Sequence, residues 1–182
     1  MSPALWRYGT PAIVLHWALA ALIVFMASLG WWMMTVEHEP GGRRWIDLHV
    51  SVGLVVAALV LLRVVWRAFH RPAPLPPGLP DWQRGLSQIV QWLLYACMVL
   101  VPATGIVGAS YRKSGIGFFG MHLPRWVSPD HDTAQRFFHL HEILVWTLVI
   151  LAALHSLAGL WHLVVDRDGV FARMWPRGRH VR

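Results

Sequence analysis

Residues 138–165 read FHLHEILVWTLVILAALHSLAGLWHLVV, an apolar run that holds His139, His141, His155 and His162. At 1.5 Å of rise per residue, such a run crosses a hydrocarbon layer about 30 Å thick as a single helix. Three runs of the same kind precede it. Ile13–Met34 has only His16, Trp17 and Ser28 as polar residues, Ile46–Val65 (with a span reaching about residue 68) carries His49 and Arg63, and Ser87–Ala109 is interrupted by Pro102 and Gly105. None shows the alternation of a barrel strand, and in lipid every backbone N–H and C=O must bond within its own segment, so all four are read as helices. Pro102 removes a helix hydrogen bond and is expected to kink the third. The first run lacks a small-residue cleavage site and contains a histidine, which argues against a cleaved signal peptide. The expected fold is all-α, an integral membrane four-helix bundle forming one domain over residues 1–182, with spans at about 13–34, 46–68, 87–109 and 138–165.

Composition narrows the function classes. Of the 182 residues, 56% are apolar and 14% charged, against about a quarter charged in soluble domains. Disorder is excluded by that hydrophobicity. Cys97 is the one cysteine, so a disulfide scaffold, a C-x-x-C-H haem attachment and a Cys-ligated cluster are excluded as well. The net charge of +7 does not indicate nucleic-acid binding, because the basic residues flank apolar spans instead of forming one exposed face. Trp6, Trp31, Trp32, Trp45, Trp66, Trp82, Trp126 and Trp175 fall near span ends, as an interfacial belt does. Between spans lie Thr35–Trp45, a stiff proline-rich Arg71–Trp82 and Ser110–Phe137.

Charge sets the expected orientation. With both termini on one side, that side holds Arg7, Arg63, Arg67, Arg71, Arg84, Arg167, Arg173, Arg177, Arg179 and Arg182, ten of the sixteen basic residues. The other holds Arg43, Arg44, Arg112, Lys113, Arg125 and Arg136. The excess favours cytoplasmic termini.

Histidines inside a span are costly and point to function. In this topology His49 and His141 lie near the outer face, and His16 and His155 near the inner one. His141 and His155 are 14 residues apart, which is about 21 Å along the helix and about 40° short of four full turns, so both project from one side. Imidazoles facing each other across helices are the usual way a bundle holds a haem b iron, and pairs at two depths imply two haems. Gly53, Gly159 and Ala20 each follow a histidine by one turn, where a macrocycle needs a small neighbour, although glycine also serves close helix packing. Polar packing, a proton relay or metal transport remain alternatives for the histidines.

These residues resemble the bacterial cytochrome b561 family along essentially the whole chain. The carrying segments are Arg7–Gly9 with Leu15–Trp17, Leu48–Gly53, Leu61–Arg67, Leu140–Glu142 and His155–His162. The resemblance implies two haems b stacked across the bacterial inner membrane, the inner on His16 and His155, the outer on His49 and His141. It further implies a superoxide:ubiquinone oxidoreductase-like activity, with superoxide oxidised outside and ubiquinone reduced inside. Other relatives serve as haem subunits of larger dehydrogenases, so a partner redox protein is the second reading. A histidine-based metal or haem transporter is the third.

Three further positions fit that picture. Arg63 projects to the side of His49 one haem level down, where it pairs with a propionate of the inner haem or snorkels to the headgroups. His162, a heptad after His155, is placed for a quinone carbonyl or faces headgroups, while His139 is interfacial. Arg112, Lys113, Arg125 and Arg136 either steer a small anion to the outer haem or merely solubilise the loop.

Overall fold

The computed structural model describes residues 7–70 and 78–176. Trp6, linker residues 71–77 with Arg71, and Arg177, Arg179 and Arg182 lie outside the described residues. The elements are α1 (Thr10–Val36), α2 (Arg43–Phe69), α3 (Asp81–Ser110), a hairpin of β1 (Gly117–Phe118) and β2 (Met121–His122), and α4 (His131–Trp161). A π-helical turn, His162–Asp166, and a 3-10 turn, Phe171–Arg173, follow.

Helices α1, α2 and α3 run past their apolar blocks at both ends, and α4 past the start of its own. The clearest case is α4, which starts at His131 and not near Phe138. The Asp130 carboxylate accepts the backbone N–H groups of Asp132 (3.0 Å) and Thr133 (3.1 Å), satisfying two donors that the first turn leaves open. These bonds, Thr133 first, hold the Asp130 carboxyl below its ordinary pKa. At the other end the α-helix stops at Trp161, and the remainder of the fourth apolar block is the π turn. Arg167 then takes a left-handed conformation (φ 50°) and the chain turns back. Helix α3 continues through Pro102.

Neighbouring helices pack in chain order: α1 on α2, α2 on α3, and α3 most extensively on α4. Leu19, Val56 and Val60 form a small core, flanked by Leu22, Met26, Val52, Leu59, Val64 and Met98. Along the α3–α4 seam a Cβ on Gly108 would lie 2.7 Å from the Phe138 ring, so only glycine permits this approach. By contrast, α4 does not pack closely against α1 or α2. Large apolar side chains such as Val24, Ile150 and Leu157 point outward, the face a lipid-embedded bundle presents. Hydroxyls inside the spans satisfy themselves on their own helix, as Ser28 does on the Val24 carbonyl and Thr104 on that of Leu100. The fold is a four-helix membrane bundle, and all four helices are long and apolar enough to span.

The two ends of the bundle differ. At one, the hairpin pairs Gly117 with His122 and Phe118 with Met121. Its turn needs positive φ at both Phe119 (45°) and Gly120 (89°). The Phe119 N–H donates to Ser51 Oγ (2.9 Å), pinning the hairpin to α2. The other end holds the start of α1 and the last described residues. There Tyr8 N–H donates to the Arg173 carbonyl (3.3 Å), Arg7 to that of Trp175 (2.7 Å) and Trp17 Nε1 to that of Met174 (2.7 Å).

Candidate functional site: two imidazole pairs

Helix α4 carries one histidine of each pair. At the terminal end His155 meets His16 of α1 with ring centroids 6.2 Å apart and planes at 75°. At the hairpin end His141 meets His49 of α2 at 6.3 Å and 83°. Both pairs therefore join α4 to the α1–α2 pair.

This spacing has a chemical meaning. With both Nε2 atoms in line with one ion, a metal–imidazole bond of about 2.0 Å on each side, plus about 1.15 Å from nitrogen to ring centre, sums to about 6.3 Å. Hydrogen bonds would draw the rings closer. Among the described residues no hydrogen bond engages the Nε2 of any of the four histidines, and none of the salt bridges brings a carboxylate to them. Two imidazoles without a third ligand do not make a tetrahedral zinc site. They do suit a metal whose equatorial positions a macrocycle fills.

Local sequence explains how each ring is held. His141 Nδ1 donates to the Val101 carbonyl (2.8 Å), which leaves its Nε2 lone pair free. That approach is possible because Gly105, one turn beyond Val101, has no Cβ. One there would lie 3.0 Å from His141 Cε1. Gly30 plays the corresponding part for His49, with a Cβ position 3.3 Å from the ring. His49 Nδ1 is buried without a hydrogen-bond partner, and the more exposed His155 ring has none among the described residues either. At the terminal end, His16 Nδ1 contacts Arg63 Nη2 at 3.3 Å.

The other sequence-predicted residues fall as follows. Gly53 faces Met26 Cε and Gly159 faces Phe171 Cδ2, each at 3.6 Å from the Cβ position, an ordinary contact. His162 is half-buried, and its Nδ1 lies 2.7 Å from Asp168 Oδ2 and 3.2 Å from Asp166 Oδ2. Arg112 is not a bare cation. Burial lowers its pKa, and Arg43, Asp47 and Glu37 lie within electrostatic reach. Arg125 donates to the Lys113 carbonyl, while Lys113 and Arg136 are exposed. His139 is exposed near the start of α4.

Gly30, Ser51, Trp17 and Asp168 were missed from sequence, and Gly105 was read only as an interruption. Their roles depend on what another helix or loop brings to them, and glycine is too common in membrane helices to flag itself. The one available signal was Gly105 following Pro102 by three residues in an otherwise apolar run.

Residues 7–177 match the family described as prokaryotic cytochrome b561. Cytochrome b561 homolog 2 of Escherichia coli K12 is 28% identical over 170 residues, covering 92% of this chain and 90% of that protein. A protein of Yersinia pestis named probable superoxide oxidase CybB is 24% identical over 180 residues, covering 95% and 98%. Cytochrome b562 of Cereibacter sphaeroides is 29% identical over 173 residues, covering 92% and 94%. The chain belongs to the prokaryotic cytochrome b561 family, multi-pass membrane proteins of haem b.

Proposed function

We propose that this protein is a membrane oxidoreductase that passes electrons from an outer donor, superoxide, to ubiquinone at the cytoplasmic side. In this reading His16 and His155 hold one haem b, and His49 and His141 hold a second. The observation that carries it is the pair of imidazole couples, spaced at 6.2 and 6.3 Å, that join α4 to α1 and to α2. When bound, haem b supplies reversible one-electron chemistry at iron.

The chain's own residues do the rest. Because α4 contributes to both pairs, one rigid element fixes their separation. The Val101 carbonyl orients His141 and makes it a stronger donor. A strap from Phe171 to Trp175 closes over the side of His16 through Trp17, which donates to the Met174 carbonyl and whose ring meets Trp175 edge-on at 5.8 Å. Two superoxide anions each give up one electron and leave as oxygen, and ubiquinone takes those two electrons and two protons. His162 is the residue for a quinone carbonyl: carrying both ring protons, it donates from Nδ1 to Asp168 and from Nε2 to the carbonyl. Arg112, Lys113, Arg125 and Arg136 ring the hairpin end, where their charge favours an anionic donor. The arginine excess at the terminal end supports cytoplasmic termini. The name of the Yersinia pestis relative supports superoxide as donor.

The test is a haem count and a reduced-minus-oxidised spectrum on the purified protein. Two b-type haems per chain are expected, with His16→Ala and His49→Ala each losing a different one. A colourless wild-type preparation removes the proposal. Ubiquinone reduction by superoxide with the isolated chain separates this reading from a haem subunit, which turns over only with its dehydrogenase.

A further inference from the structure

The surroundings of the two pairs are electrostatically unlike, and the difference lies in Arg63. Its guanidinium is half-buried at the terminal-end pair, with Nη1 on the Ala12 carbonyl (3.2 Å), Nη2 beside His16 Nδ1 (3.3 Å) and its carbon 5.8 Å from the centre of the Tyr95 ring. Among the described residues no carboxylate pairs with it. Two of its anchors, the Ala12 carbonyl and the Tyr95 face, hold it whichever nitrogen of His16 carries the proton. At the hairpin-end pair the corresponding contact has the opposite polarity: His141 donates to a carbonyl oxygen.

Resting on the haem reading above, we propose that Arg63 is a positioning residue that sets the direction of electron flow by making the terminal-end centre the stronger electron acceptor. A fixed cation opposes the extra positive charge of a ferric centre and favours the ferrous one. A carbonyl accepting from an axial histidine makes the imidazole more electron-rich and favours the ferric state. Both effects drive electrons from the hairpin end to the terminal end, and guanidinium suits the task because it stays charged at every working pH. Any carboxylate carried by the porphyrin near Arg63 loses its counter-charge when the arginine is removed, which shifts the potential in the same direction.

The experiment is a spectroelectrochemical titration of the haem-loaded protein, with His49→Ala, which keeps only the terminal-end haem, used to assign the two waves. In Arg63→Gln the terminal-end centre is expected to lose at least about tenfold in electron affinity, about 59 mV for one electron, with the hairpin-end wave unmoved. Arg63→Lys should recover most of the loss. If Arg63→Gln sheds its haem, Ala12→Asp decides: it leaves the arginine in place, adds a carboxylate compatible with the first turn of α1, and should lower the same wave. A terminal-end wave that stays put in these variants, or two waves that move together, overturns the proposal. A wild-type chain without haem would instead remove the underlying reading.

Discussion

At the hairpin end, His49 and His141 sit against glycines: Gly30 lies under one ring and Gly105 under the other, and the Val101 carbonyl fixes the second. At the terminal end, His16 and His155 border no glycine among the described residues. Arg63 and Trp17 adjoin His16, and a strap of irregular chain from Phe171 to Trp175 closes the bundle. One pair is thus positioned by close helix packing and the other by long polar side chains and a loop. Packing tolerates no added atom, whereas long side chains can adjust, so the two ends should respond differently to the same kind of damage.

The sharpest way to break that contrast is to add one methyl group at matched places. Gly105→Ala puts a Cβ 3.0 Å from a ring whose hydrogen bond prevents it from yielding, a clash of the overpacking kind worth about 1–3 kcal/mol. We expect marked loss of the hairpin-end haem, read from the spectrum. Gly30→Ala should cost less, since the 3.3 Å contact falls on a ring with no tether at Nδ1. Gly159→Ala should leave the terminal-end haem in place, because its neighbour Phe171 is at 3.6 Å. Equal losses in all three would end the distinction. Loss confined to Gly159→Ala would return that glycine to the macrocycle-facing role expected from sequence.

A smaller effect is expected at the hairpin itself. Ser51→Ala removes the acceptor of the Phe119 N–H, and losing this partly exposed hydrogen bond costs about 0.5–1.5 kcal/mol. Hydrogen exchange should quicken at residues 117–122 while the strap at 171–175 stays unchanged. Faster exchange at both ends would mean that the hairpin and the strap open as one unit.

The smallest change is expected from the hairpin-end cations. Arg112 shares its surroundings with Asp47 and Glu37, so the net field there is modest. Arg112→Gln combined with Lys113→Gln should slow haem reduction by superoxide a few-fold at low salt and flatten its dependence on ionic strength. An unchanged salt slope would reduce these residues to loop solubility.

Much of this was legible before any coordinates. The four apolar blocks, and the separation of His141 from His155 along one helix, follow from a rise of 1.5 Å per residue and from where each span begins. The hairpin was not legible, because a two-residue strand has no periodicity to detect. Nor was the early start of α4, which rests on Asp130 and the two N–H groups it caps. Arg63 was read as facing a propionate or the headgroups, and its contacts with Ala12, His16 and Tyr95 were invisible because they join residues far apart in the chain.

What the sequence determined by itself is the set of local, one-dimensional quantities: four lipid-length helices, the side of α4 that carries His141 and His155, and a chemistry of imidazole without thiolate or carboxylate. The tertiary structure alone decided which atoms surround those imidazoles, namely the glycines and the Val101 carbonyl at one end, and Arg63 and the strap at the other. The physical reason is that hydropathy and helical phase act residue by residue along a chain. A methyl group's worth of room, or a cation 3.3 Å from a ring, exists only once two helices have been brought side by side.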